Sequence, residues 1–278
     1  MQQVWLVTGS SRGIGRAIAE AALAAGHKVV ATARDTSTLA DVVERYPGSA
    51  HLAMFDVTDF EGAVNVVNDT VVRFGRLDVV VNNAGYGNIG SVEDSDIADI
   101  RAVIETNLFG TINVTKASLP IMHRQRSGRF IQLSSVGGRI GSMGRASYSA
   151  AKFGVEGFSE SLARETSPLG IKVTIVAPGG FRTDFAGSSS QIRAGHSDYE
   201  STIGVAAQFQ RDYDGAQPGD PAKAASVIVE IAAMEDPPLR LLLGRDAVKF
   251  VEQAQVERLE EIGRWRALSE STDFDLTS

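Results

Sequence analysis

The chain has 278 residues, 43% of them hydrophobic, and no apolar run approaches the roughly 18 residues that a membrane-spanning helix needs, so the composition fits one α/β domain with a sizeable core. Its 27 basic and 34 acidic residues leave a net charge of -7, which excludes a global basic footprint for nucleic acid. It has no cysteine, which excludes disulfides and thiolate metal sites, and its four histidines, His27, His51, His123 and His196, lack the spacing of a ligand set, so no metal is expected.

Residues 4–7 read as a strand buried on both faces, as a central parallel strand should be. That strand begins too early for a signal peptide to precede it, so a soluble cytoplasmic protein, with no membrane partner, is expected. The glycine-rich turn that follows, Gly9-Ser10-Ser11-Arg12-Gly13-Ile14-Gly15, leads into a helical pattern. Its glycines allow a tight turn and close backbone approach, while the free N–H groups of the helix start and the helix dipole favour a pyrophosphate. The spacing Gly9, Gly13, Gly15 differs from the common G-x-G-x-x-G fingerprint.

Further strands are predicted at 28–33, 51–55, 79–81, 129–133, 172–177 and 239–243, alternating with helical patterns. Seven strands in that alternation predict a three-layer doubly wound Rossmann fold with a mainly parallel sheet, in which ligands bind at the carboxyl ends of the strands. The whole chain is expected to form one domain, with a mainly cofactor-binding half (1–130) and a catalytic and substrate half (131–278). Arg124, Arg126 and Arg129 read as the solvated end of a helix, complementing its dipole. The segment 186–219, rich in Gly, Ser, Asp and Gln, is the least regular. Residues 246–266 read as a charged helix whose narrow apolar stripe, Val248, Val251, Leu259 and Ile262, is expected to pack on its own domain. The polar tail from Ser269 is expected to be mobile.

The chemistry concentrates around Tyr148-Ser149-Ala150-Ala151-Lys152. On a helix the i, i+4 spacing puts phenol and ammonium on one face, and a nearby cation favours the phenolate, bringing a group with pKa about 10 closer to use as an acid and base. Ser135 lies thirteen residues upstream of Tyr148, beside Ser134, at the end of an apolar strand. A hydroxyl emerging there can hydrogen-bond a substrate oxygen as charge develops on it, whereas the plain reading of this serine pair, caps on backbone groups, suits Ser134. Asn107 falls in a helical segment, where Asn is mildly unfavourable. Asp56 follows the third strand and could cap a helix starting near residue 59.

Thr8-Gly9-x-x-x-Gly13-x-Gly15, Asn82-Asn83-Ala84-Gly85, Asn107, Ser135, Tyr148-x-x-x-Lys152 and Pro178-Gly179-x-Phe181-x-Thr183 occur in one order. With them the chain strongly resembles the compact, non-extended branch of the short-chain dehydrogenase/reductase family, by motif over roughly residues 3–184. The resemblance implies an oxidoreductase that interconverts a carbonyl and an alcohol, with Tyr148 as acid/base, Lys152 holding the nicotinamide ribose, Ser135 polarising the substrate and Asn107 positioning a water that links Lys152 to solvent. It assigns cofactor contacts to Gly9, Ser11, Arg12, Gly13, Ile14, Gly15, Asp56, Val57, Asn83, Ala84, Gly85, Tyr148, Lys152, Pro178, Gly179, Phe181 and Thr183. It also implies a substrate lid at 186–219 and a homodimer or homotetramer built on the helices that carry Asn107 and Tyr148.

An NAD-binding site of this kind places an acid near the end of the second strand. Here Ala33 stands at that position, followed by Arg34 and Asp35. Arg34 and Arg12 suit a 2'-phosphate, and Asp35 is expected to point away, so NADP(H) is preferred and NAD(H) stays possible. A pocket of Gly137, Gly138, Ile140, Met143, Phe181 and Phe185 favours a partly apolar small molecule. Two other readings remain open: an NADP-binding regulator without catalysis, and an isomerase or lyase that retains its cofactor.

Overall fold

The computed structural model describes residues 1–185, 187, 190–193 and 195–274. Its elements are, in order, β1 (Val4–Val7), α1 (Gly13–Ala24), β2 (Lys28–Ala33), α2 (Ala40–Arg45), β3 (Ala50–Met54), α3 (Phe60–Phe74), β4 (Val79–Asn82), β5 (Gly87–Ile89), α4 (Ile97–Ile104), α5 (Gly110–Gln125), β6 (Gly128–Leu133), α6 (Ala146–Thr166), β7 (Ile171–Pro178), β8 (Ser190–Ile192), α7 (Val205–Tyr213), α8 (Pro221–Ala233), β9 (Arg240–Leu243) and α9 (Arg245–Glu270).

Seven strands form one sheet in the order β3-β2-β1-β4-β6-β7-β9, and every pairing in it is parallel. This is the doubly wound Rossmann topology, with its reversal of strand order between β1 and β4, where a crevice opens at the carboxyl edge. All seven predicted strands are present, with ends shifted by at most a residue. The extra pair, β5 with β8, forms a separate two-stranded parallel sheet. It escapes sequence reading because three residues containing Gly87 and Asn88 carry no strand periodicity.

β1 and β4 are rich in valine and fully buried, so they sit between the two helical layers. On one side Trp5, Val7 and Ile18 pack with Ile228 and Ile231 under α1 and α8. On the other, Leu6, Val80, Phe130 and Met122 pack with Leu162 under α3, α5 and α6. The helix ends follow local chemistry. Asp96 starts α4 by accepting from Ala98 N–H, and Asp220 starts α8 in the same way with Pro221 at the first turn.

Four expectations need correction. Arg129 lies in β6, as the predicted strand 129–133 has it, and not at a helix end with Arg124, while Arg126 closes α5 in a left-handed conformation, φ 54°. In α9 only Val251 of the predicted stripe is buried, and Leu259 is 68% exposed, so the far half of that helix does not pack on its own domain. The reason is geometric: 26 residues rising about 1.5 Å each outrun the edge strand β9 on which the helix starts. The tail also begins in helix, since α9 continues to Glu270, and residues 275–278 lie outside the described residues. Most of the expected lid is regular, with a π-helical turn Glu200–Gly204 running into α7. Its residues 186, 188, 189 and 194 lie outside the described residues.

Candidate active site

The glycine turn is held by β4's exit loop. Thr8 Oγ1 accepts from the N–H of Asn83 at 3.0 Å and of Ala84 at 3.1 Å, and Asn83 Nδ2 donates to the Thr8 and Gly9 carbonyls at 2.9 and 3.1 Å. Gly9 has φ +65°, and a Cβ there would meet Ala84 Cα at 2.8 Å, so both the backbone angle and the close approach require glycine. The Asn83 amide N–H groups are therefore consumed by the turn, and what the residue can offer a ligand is its Oδ1 and its backbone.

α1 starts directly behind the turn with no side-chain cap from Arg12, leaving its first-turn N–H groups facing a cleft of about 710 Å³. All twenty residues singled out as catalytic or cofactor-binding line this cleft: the turn residues, Arg34, Asp56 and Val57 at one end, the 83–85 loop and Pro178, Gly179, Phe181 and Thr183 along it, and Asn107, Ser135, Tyr148 and Lys152 at the other end. Asp35 instead accepts from Ser37 N–H at 2.9 Å. Asp56 does not cap α3, which begins behind Asp59; its carboxylate accepts from Thr58 N–H and Oγ1–H at 3.0 and 2.9 Å.

At the reactive end β6 stops and Ser135, in extended backbone, accepts from Gly137 N–H at 3.1 Å. The serine that caps is thus Ser135, not Ser134, whose buried hydroxyl has no partner. Lys152 Nζ is buried and donates to the Leu133 carbonyl at 2.7 Å. Removal from water brings its pKa down to about 8. Tyr148 is buried too, and burial pushes its phenol up, while the Ser135 hydrogen bond and the Arg145 charge pull it down. The expectation that Lys152 lowers the phenol is corrected for this arrangement: its ammonium lies 5.8 Å from the ring centroid and is committed to Leu133, and Arg145 is the cation acting on Tyr148.

Asn107 sits in a π-helical turn, Glu105–Phe109, between α4 and α5. Its amide donates to the Tyr86 and Val103 carbonyls, both at 2.9 Å, and its buried Oδ1 has no protein partner. Such an irregularity explains how a poor helix residue is accommodated. Gly138 and Ile140, expected in the pocket, do not line it, because Gly138 packs against Ser134 and the Lys152 backbone.

Among the lining residues that sequence reading missed, four are polar groups that bear on the chemistry or hold the site: Tyr86, Arg145, Gln210 and Asp246. Arg145, whose charge acts on Tyr148, donates to Gln210 Oε1, whereas the Tyr86 phenol lies near Arg34 and Thr106. Asp246, at the start of α9, accepts from Gly180 N–H at 2.7 Å and so fixes the Pro178-Gly179-Gly180 turn. Arg145 stands three residues before Tyr148, one helical turn away, which was a usable signal; Gln210 and Asp246 come from distant segments and gave none.

The family model for short chain dehydrogenase matches residues 3–194. Oxidoreductase BOA17 of Botryotinia fuckeliana is 44% identical over 97% of this chain and 98% of its own. The 3-ketodihydrosphingosine reductase of Bacteroides thetaiotaomicron is 34% identical over 87% of this chain and 88% of its own. A short-chain dehydrogenase from Streptomyces avermitilis, solved by crystallography, superposes with a TM-score of 0.93 at 43% identity, covering 99% of this chain and 100% of that one. A glycine turn and a serine, tyrosine and lysine set on one doubly wound sheet, together with these likenesses, make this chain a member of the short-chain dehydrogenase family and an oxidoreductase of that type.

Proposed function

We propose that the chain is an NADP(H)-dependent reductase or dehydrogenase that interconverts a carbonyl and an alcohol on a partly apolar small molecule. The observation that carries this reading is the convergence of Ser135, Tyr148 and Lys152 on the same cleft as the glycine turn.

The residues present fit a dinucleotide. The first turn of α1 offers free N–H donors for a pyrophosphate. Gly13, at φ +60°, leaves open a cradle that a Cβ would close to 3.4 Å from Thr183 Cβ. Arg12 and Arg34 line that end and suit a 2'-phosphate, and Asp35 is turned onto Ser37. When bound, the nicotinamide supplies or receives the hydride. Tyr148 gives its phenolic proton to the substrate oxygen in reduction and takes it back in oxidation. Ser135 Oγ, while accepting from Gly137 N–H, donates its own hydrogen to that oxygen as negative charge builds on it. Lys152 is placed to donate to ribose hydroxyls and to return a proton toward Tyr148. Asn107 keeps the π-helical turn closed against Tyr86, with Oδ1 open to a water.

Residues 1–130 would then supply mainly the nucleotide side and 131–278 the catalytic and substrate side. Exposed Phe109 and Phe153, in the π turn and on α6, offer apolar surface for a homodimer or homotetramer, and a cytoplasmic setting completes the reading. The test follows NADPH absorbance with wild type and Tyr148→Phe against aldehydes, ketones and quinones. Consumption by wild type alone is expected. Equal consumption by both variants refutes Tyr148 as the proton donor, and NADPH binding without consumption favours the regulator reading.

A further inference from the structure

We infer that Arg145, assisted by Gln210, forms a carboxylate-binding subsite beside Tyr148, so that the substrates of this chain are oxo acids and hydroxy acids with an apolar body. The inference rests on the carbonyl–alcohol reading above and narrows its substrate class.

Arg145 is the residue that starts α6, a helix of 21 residues with no acidic side chain in its first turn. A cation at that end opposes the helix dipole, which favours negative charge there. The guanidinium is half-buried, and that burial lowers its pKa, with Tyr148 as the one opposing influence. Among the described residues it makes no ion pair; its side-chain hydrogen bond goes to the neutral amide oxygen of Gln210. An Arg held this way, without a carboxylate, costs desolvation free energy that only an anion recovers.

The surroundings direct that anion into the cleft. Arg145 and Gln210 both line it, together with the apolar Ile89, Met143, Phe185 and Phe209. Phe185 lies against the Tyr148 ring at 5.6 Å between centroids. On the other side Gly87 leaves room, since a Cβ there would come to 3.1 Å from Arg145 Nη1. Gln210 is buried and belongs to α7, so the lid-side helix carries half of the subsite. Three residues of helix separate Arg145 from Tyr148, about 4.5 Å of rise. Arg145, Ser135 and Tyr148 line one cleft, so a short oxo acid can set its carboxylate on Arg145 and its carbonyl against Ser135 and Tyr148, and 2-oxo and 3-oxo acids are the two spacings to compare. The fork of the guanidinium matches a carboxylate bidentately. The reduction itself is unchanged: hydride from the reduced nicotinamide goes to the carbonyl carbon, the Tyr148 proton goes to the oxygen, and the products are the hydroxy acid and oxidised cofactor.

The test uses the purified full chain with NADPH on 2-oxooctanoate and 3-oxooctanoate, each beside its methyl ester, with Arg145→Gln and Gln210→Glu in parallel and thermal melts to verify folding. The expected result is a preference of at least about tenfold in kcat/KM for one acid over its ester, expressed in KM, which falls to about one in both variants. Gln210→Glu reaches that result with Arg145 still present, by setting a carboxylate against the guanidinium. A ratio near one in wild type, or one that neither variant changes, overturns the inference. So does an equal fall in kcat for acid and ester, which would make Arg145 a residue that tunes Tyr148. Should neither acid nor ester be reduced, the wider carbonyl panel decides the carbonyl–alcohol reading separately, and calorimetric titration with octanoate still decides the subsite: binding lost in both variants supports it, and no binding by wild type overturns it.

Discussion

Lys152 carries a free-energy cost that can be measured without any substrate. The residue is 4% exposed, and its ammonium has a single hydrogen-bond acceptor in the Leu133 carbonyl and a pKa lowered from 10.5 to about 8 by burial. At about 1.4 kcal/mol per pH unit, that displacement corresponds to about 3 kcal/mol by which the folded state disfavours the charged lysine. Because the folded pKa lies below the unfolded one, the unfolded chain binds more protons between about pH 8 and 10.5. Stability contributed through Lys152 therefore rises with pH across that window. Below it the penalty is fully present, and above it the penalty is gone. Replacing Lys152 by Met removes the titration, so the stability of the lysine protein minus that of the Met variant is expected to climb by about 3 kcal/mol from pH 7 to pH 10.5. Working in a Tyr148→Phe background keeps the neighbouring phenol from titrating in the same range. Urea unfolding of the cofactor-free pair at half-unit pH intervals gives the curve. A difference that stays flat with pH, or that falls, would refute the placement of a desolvated lysine at this site.

Three further outcomes are expected. Gly9→Ala combines a left-handed backbone angle with a Cβ pressed to 2.8 Å from Ala84 Cα, and should cost about 1–3 kcal/mol together with a loss of NADPH affinity; unchanged urea midpoint and fluorescence titration would contradict it. Asn107→Leu strips donors from the Tyr86 and Val103 carbonyls and should cost about 1–3 kcal/mol, with turnover falling further than NADPH binding; an active, equally stable variant would show that the π turn needs no amide. Removing residues 263–278 deletes surface that includes Trp265 at 57% and Leu268 at 66% exposure, so the melting temperature should barely move, within about 0.5 kcal/mol. A large drop would mean that α9 is covered in solution, and light scattering on the two forms would detect the partner copy.

The sequence by itself determined the strand and helix alternation, because seven short, mainly apolar runs separated by helical patterns leave a parallel doubly wound sheet as the economical burial of both faces. It also determined the candidate chemistry, since Tyr148 and Lys152 four apart and Ser135 at a strand end are local patterns whose meaning survives without coordinates. What the tertiary structure alone decided were matters of competition between distant groups. Lys152 is turned to Leu133 and Arg145 acts on Tyr148, a choice made by which element each side chain packs beneath. Asn83 spends its amide on the Thr8 and Gly9 carbonyls, and Asp246, 66 residues from Gly180 along the chain, holds that turn. The exposure of α9 belongs to the same class, because its apolar residues promise a stripe by periodicity while burial depends on whether another surface reaches them. Local propensity and spacing are written in neighbouring residues; partner choice for a buried charge or an apolar face is fixed only when remote segments meet.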